Sequence, residues 1–290
     1  LGKRERQEDT VAADFQTGLP MGFVVLADGM GGHSGGDLAS RVVVTEVFSA
    51  LKRFGSDIER MENRITQILE RALVAANAAV ARCAKEDPAR RGMGATLLAP
   101  VVFGQRLYWA SVGDSPLYLF RNKRLQRLNA NHSVAARLEQ LVRSGRMLPE
   151  TARRHPDRAC VTSVLAGGKI HQVDIPAKPV ALLPGDIVLA ASDGIQALEA
   201  KQIGDLIGQD IGSSAAGLSQ KLLQAVLDAG DPQQDNLSFS IIRIPPAAAN
   251  HGVEVAPKPR ARARRKVALV ASAHVQSGQL VFQSLSKSSA

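Results

Sequence analysis

The sequence has little of what marks a stapled secreted domain or a membrane protein. Only two cysteines, Cys83 and Cys160, stand among 290 residues. Their positions have no metal-ligand spacing and give no ground for a disulfide, so two reduced thiols in a cytosolic protein are expected. No apolar run approaches the ~18 residues of a membrane span, and no signal-peptide pattern opens the chain. Aromatic residues make up 4%, so the core must be built from Val, Leu, Ile and Ala. The chain also lacks an initiator Met and begins almost on top of a motif, which leads us to expect that a natural N-terminus, with a first strand, precedes it. We find no internal repeat. In other respects the composition is that of a globular protein, 45% hydrophobic and 22% charged, of a length for one large domain or two modest ones.

The net charge of +9 resembles a nucleic-acid signal until it is divided along the chain. Residues 245–290 hold Lys258, Arg260, Arg262, Arg264, Arg265, Lys266 and Lys287 against one acid, Glu254. That segment therefore carries six of the nine charges, and residues 1–244 are close to neutral for their size. Its first part, 245–266, is rich in Pro, Ala and Arg without helical or strand period, and reads as a basic linker. The remainder, 267–290, is weakly apolar, too short for a core, and reads as a tail of unknown role. Removing everything after Ile244 is accordingly expected to leave turnover unchanged. Nucleic-acid binding through the Arg-rich segment is a competing reading, but the run has no interleaved aromatics and no recognisable domain.

Before that point the apolar pattern is informative. "GFVVLAD" (22–28) reads as a buried strand and 37–54 as a helix. Ile58, Met61, Ile65, Ile68, Leu69, Ala72, Ala76 and Val80 recur at three- and four-residue steps, the stripe of one long amphipathic helix over 58–84. Strand-like runs follow at 95–103, 106–112 and 116–121, with "RNKR" as a hairpin turn. A polar helical section spans 133–156, a strand 186–194, helices 201–229, and a last strand 236–244. Short neighbouring strands with hairpin turns, between early and late helix pairs, point to two antiparallel sheets packed together with helices outside: an α+β fold, an αββα sandwich.

The stretch "LADGMGGHSGGD" (26–37) sets five glycines around Asp28 at the end of a strand. A phosphate-cradling loop requires GxxxxGK(S/T), and no such lysine is present. A surface turn explains the glycines but not the aspartate. Acidic residues recur at strand ends in "RERQED" (Glu8, Asp9), "ASDG" (Asp193) and "QQDN" (Asp235). Carboxylates gathered by a fold repel one another unless hard cations lie between them, and oxygen ligands suit Mg²⁺ or Mn²⁺. Any single Asp-Gly is more simply a turn, but acidic sites at four strand mouths, two of them Asp-Gly, weigh against turns alone and toward a metal site.

The order "R…ED", "DGMGG", "GDS", "HS", "SDG", "DN" resembles that of the metal-dependent type 2C Ser/Thr protein phosphatases, in their bacterial form, over residues 2–244. The resemblance implies two Mn²⁺ or Mg²⁺ ions sharing Asp28, with the Gly29 carbonyl as a further ligand. Asp193 and Asp235 would hold one ion, Glu8 and Asp9 would serve the other, and Asp114 would hold a third, weaker one. Arg4 matches the phosphate-binding arginine, where a planar, permanently charged fork suits a phosphate dianion. The chemistry implied is in-line attack on a phosphoserine or phosphothreonine phosphorus by hydroxide from metal-activated water. No covalent phosphoenzyme is needed, which fits the lack of a DxDx(T/V) nucleophile motif. The resemblance further implies a phosphoprotein substrate, an opposing Ser/Thr kinase, and a cytoplasmic monomer.

Several residues depart from that pattern or invite a role they need not have. Met30 stands where animal members carry histidine, and His33 reads as a loop residue rather than a general acid. His132 reads as a turn brace, and Tyr108 and Trp109 as packing. Pro116 replaces an arginine and Asn131 an aspartate, both on the flap side of the domain. A regulatory module that binds without hydrolysing is the rival within the same fold. Loss of Asp28, Asp193 or Asp235 would mark it, and all three are present.

Overall fold

The structure, a computed structural model, describes residues 2–16, 19–31, 35–53, 58–245, 269–276 and 279–284. In chain order the elements are β1 (Asp9–Phe15), β2 (Met21–Met30), α1 (Gly35–Lys52), α2 (Ile58–Glu62), α3 (Ile65–Glu86), β3 (Gly94–Ala95), β4 (Leu97–Phe103), β5 (Arg106–Val112), β6 (Leu117–Arg121) and β7 (Arg124–Arg127). They continue through α4 (Val134–Arg143), α5 (Pro149–Arg153), β8 (Val180–Ala181), β9 (Ile187–Ala191), α6 (Ala200–Gln209), α7 (Ala215–Asp228), β10 (Ser238–Arg243), β11 (Leu269–Gln276) and β12 (Gln279–Ser284).

Two six-stranded sheets result among the described residues. One runs β1-β2-β4-β5-β8, with β3 also on β2; the other runs β12-β11-β10-β9-β6-β7. All their pairings are antiparallel. The β2 sequence shows why the layers stack. Alternate side chains of a strand point to opposite faces. Val24 and Leu26 pack between the sheets with Leu98, Trp109, Leu119, Val188 and Ile242. Phe23, Val25 and Ala27 point the other way, against Val43 and Val47 of α1 and Leu69 of α3. A strand covered on both faces has no polar side to show, hence the unbroken "FVVLA". The second sheet repeats the arrangement: Leu189, Phe239 and Ile241 meet Ile203 and Ile207 of α6 and Leu218 and Leu222 of α7. The result is the expected αββα sandwich.

The expected 58–84 helix is two: the chain turns at Asn63 and Arg64 before α3 begins. The hairpin at Asn122 and Lys123 has φ of 51° and 60°, the left-handed pair that a two-residue turn matching strand twist requires. Cys83 is half-buried and Cys160 exposed, both free.

The larger difference lies at the end of the chain. The linker expected over 245–266 falls outside the described residues after Pro245. The expected tail supplies β11 and β12, and β11 pairs along β10 from Ser238↔His274 to Arg243↔Leu269. An edge strand presents unpaired N–H and C=O groups, and a second strand satisfies them whatever its side chains are, so a weakly apolar segment suffices.

Candidate active site

The sites of interest lie where strands end. Asp9 opens β1 and Asp28 nears the end of β2, and the two stand opposite each other in the pairing register. Asp193 follows β9, and Asp235 precedes β10, its antiparallel neighbour. Four segments remote in sequence thus meet at one end of the two sheets. Asp28 lies at the centre: its carboxyl is within hydrogen-bonding reach of both Asp9 and Asp193, and it feels Asp114 and Asp235 as well.

Hydroxyl and amide groups fix this meeting. The Asp28 N–H donates to Thr96 Oγ1 at 2.9 Å, and the Thr96 N–H returns to the Asp28 carbonyl at 2.8 Å. Ser192 Oγ donates to Asp9 Oδ2 at 2.7 Å and accepts from the Ser238 N–H at 2.9 Å, tying β1 to the second sheet. The Glu8 N–H donates to Asn236 Oδ1 at 2.7 Å, and the Asn236 N–H to Asp235 Oδ1, also at 2.7 Å. Thr96, Ser192 and Ser238 were not singled out in the sequence. Ser192 directly precedes "DG" and Ser238 closes "DNLS", so adjacency to the acidic motifs is the signal that could have found them.

Close backbone approach explains two of the glycines. A Cβ on Gly29 would lie 2.0 Å from the Gly36 carbonyl oxygen, and one on Gly36 would lie 2.6 Å from Glu8 Oε1. Glu8 therefore sits against the first turn of α1, where the helix N-terminus favours a negative charge. The Gly29 N–H donates to the Glu8 carbonyl at 3.1 Å.

Electrostatically the cluster is frustrated. Burial foremost, then the neighbouring carboxylates, push Asp9 and Asp193 each up to about 7. The same causes put Asp28 well above the usual carboxylate range. Burial also raises Asp114 and Glu8. Asp9 Oδ1 and Asp193 Oδ1 are buried without a hydrogen-bond partner. Among the described residues no three metal-ligating side chains form a ready-made cage. A crowd of hard oxygens with orphaned lone pairs is nevertheless the donor set that hard divalent cations satisfy.

Arg4, expected to hold phosphate, donates Nη2 to Asp235 Oδ2 at 2.6 Å and is 60% exposed. Asp114 is buried beside the cluster, its carbonyl accepting from Arg127 Nη2 at 2.8 Å. His132 is buried, and its Nδ1 accepts from the Gly113 N–H at 3.2 Å, a turn-bracing contact. Burial lowers its pKa. The Pro116 carbonyl accepts from the Ala191 N–H at 3.1 Å, while Asn131 Oδ1 is buried without a partner. Trp109 packs between the sheets and donates Nε1 to Asp174 at 2.9 Å. His33 lies outside the described residues.

A sandwich of this topology with a carboxylate cluster at one end defines the class, and the sequence agrees. The family pattern "Protein phosphatase 2C" matches residues 2–203, and the chain belongs to that family. It is 31% identical over 245 residues to the serine/threonine protein phosphatase PstP of Mycobacterium tuberculosis, an overlap of 82% of this chain and 42% of PstP. The chain thus spans about two-fifths of that relative's length. Protein phosphatase PhpP of Streptococcus pneumoniae is 28% identical over 221 residues, 76% of this chain and 85% of PhpP. The solved serine/threonine phosphatase of S. agalactiae superposes with a TM-score of 0.69 at 25% identity, covering 83% of this chain and 94% of the other. The catalytic domain of PstP in complex with 2 manganese ions gives 0.62 at 27% identity, over 82% and 91%.

Proposed function

We propose that this chain is a divalent-cation-dependent phosphatase that removes phosphate from phosphoserine and phosphothreonine of proteins, opposing a bacterial Ser/Thr kinase as a cytoplasmic monomer. The observation that carries the reading is Asp28, within reach of Asp9 and Asp193 while each of those keeps a buried, unpartnered oxygen. Asp28 would be shared by two Mn²⁺ or Mg²⁺ ions, with Glu8, Asp9 and the Gly29 carbonyl toward one and Asp193 and Asp235 toward the other. Asp114 would serve a third. When bound, such ions neutralise phosphate charge and make water a nucleophile near neutral pH.

The chain's own part is positional. Thr96 holds the Asp28 backbone by a hydrogen bond at 2.9 Å and Ser192 holds the Asp9 carboxylate by one at 2.7 Å, so both strand ends are set in place before a cation arrives. Arg4, exposed at the rim, would turn its planar fork from Asp235 to the phosphate oxygens. The basic linker takes no part in this reading. The test is hydrolysis of a phosphothreonine peptide by the full chain. We expect turnover with Mn²⁺, loss with chelator and recovery on adding Mn²⁺ back; no turnover with any divalent ion overturns the proposal.

A further inference from the structure

A second concavity lies one short strand away from the carboxylates. A groove of about 510 Å³ runs between the C-terminal end of α3, the Pro88–Gly92 turn and the Ala166–Gly168 loop. Its floor is apolar, with Ala81 and Ala84, and two cations, Lys85 and Arg91, stand at its side. The loop wall is held by Asn77, whose Nδ2 donates to the Gly168 carbonyl and whose Oδ1 accepts from the Gly167 N–H, both at 2.8 Å. Gly167 has φ of +82°, and a Cβ there would lie 2.5 Å from that of Ala81, so the close seat on α3 requires glycine.

Cations outnumber acids along 85–91, three to two. Arg90 answers Glu86 and Asp87, at 3.7 and 3.5 Å. Lys85 and Arg91 are exposed and make no ion pair among the described residues, and exposed Lys169 follows the loop.

The groove is also connected to the carboxylates. Gly31 comes three residues after Asp28, and a Cβ on it would lie 2.7 Å from Met93 Cα and 3.3 Å from the Gly92 carbonyl oxygen. Thr96, which holds the Asp28 backbone, is five residues from Arg91. That span is at most about 18 Å, or some five residues of extended peptide. Met30, 41% exposed, lies on the strand end between the two places.

We propose that this groove receives an acidic side chain, Asp or Glu, of the phosphoprotein substrate, three to five residues from the phosphorylated Ser or Thr. Lys85 and Arg91 select the charge, and the alanine floor covers the side chain's methylenes. The inference rests on the phosphatase reading, and its test separates the two. Phosphothreonine peptides carrying Glu or Lys at three to five positions on either side are compared with the full chain and Mn²⁺, alongside an aryl phosphate.

Exposed ion pairs are individually weak, so kcat/KM should favour Glu over Lys by roughly threefold to tenfold, less at high salt. In the double variant K85E/R91E the preference should vanish or reverse, while aryl phosphate turnover stays unchanged. Equal turnover of Glu and Lys peptides, or a preference that survives in the variant, overturns the groove and leaves the phosphatase standing. If the aryl phosphate itself is not hydrolysed, the phosphatase reading fails. Fluorescence anisotropy of the same peptides in chelator then still decides the groove: binding that does not distinguish Glu from Lys, or that is unaltered in the variant, overturns it.

Discussion

Arg4 and Asp235, 231 residues apart in sequence, meet in an ion pair of 2.6 Å at the rim of the carboxylate cluster. The arginine expected to grip phosphate is thus joined to an aspartate expected to grip metal. Two roles follow, and they separate on substitution. If Arg4 turns to the phosphate, Arg4→Ala should lower kcat/KM for a phosphopeptide by roughly tenfold to a hundredfold, the worth of a charge-assisted hydrogen bond of ~1.5–3 kcal/mol. Lysine should restore only part, lacking the fork. If Arg4 only orients Asp235, the Mn²⁺ concentration for half activity should rise and kcat at saturating Mn²⁺ should not change.

Asp28 offers a sharper separation of fold from activity. Asp28→Asn removes the carboxylate that faces both Asp9 and Asp193. Turnover should fall by about a thousandfold or more, some 4 kcal/mol of barrier. The chelated variant should melt no lower than the parent, because a carboxyl whose ionisation burial and its acidic neighbours oppose is replaced by a neutral amide. Activity within about tenfold of the parent would falsify the shared-ligand role.

The pH dependence of stability has a sign opposite to ordinary acid denaturation. Asp9 and Asp193 are raised to about 7, so the folded chain holds protons that the unfolded chain releases near pH ~4. Stability of the chelated protein is therefore greatest below pH ~4–5 as far as these groups decide it, and falls as pH rises toward 7. Differential scanning calorimetry in chelator should show Tm lower at pH 8 than at pH 5.5. Saturating Mn²⁺ should abolish or reverse that difference. A chelated Tm that rises over the same interval would remove the case for a strained carboxylate cluster.

Truncation after Ile244 tests the terminal strands. The sequence alone suggests that turnover survives it, but β11 covers the edge of β10. Deletion leaves that edge open two residues beyond Asn236, whose side chain anchors Glu8. We expect a lower Tm and concentration-dependent self-association, read by calorimetry and light scattering. A truncated chain that stays monomeric and melts with the parent would show the hairpin to be dispensable.

What could be read from the sequence follows from how strongly each segment is patterned. The β2 run and the α3 stripe are buried against two and one layers respectively, so their periods are plain. β1 has no plain strand signal because "TVAAD" carries little apolar bulk and packs as a half-buried edge. β11 and β12 have no clear strand period in the sequence, and it is their backbone pairing with β10 and with each other that defines them. The acidic residues stood out because carboxylates at strand ends are unusual. Thr96 and Ser192 did not, since serine and threonine are common in every context and only the folded chain sets them against Asp28 and Asp9.

The pairing of Asp9 with Asp28 also bears on how the edge strand finds its place. Side chains alternate along a strand, so a slip of one residue would turn Asp9 to the opposite face and present Glu8 or Thr10 to Asp28 instead. β1 opposes such a slip through Phe15 against Gly22, Asp9 with Ser192, Thr10 with Ser40 and Asp14 with Lys52. A divalent ion held between Asp9 and Asp28 would add a further penalty to misalignment, since only the correct register sets the two carboxylates opposite each other. The cation would then act as a check on strand alignment as well as a catalytic group.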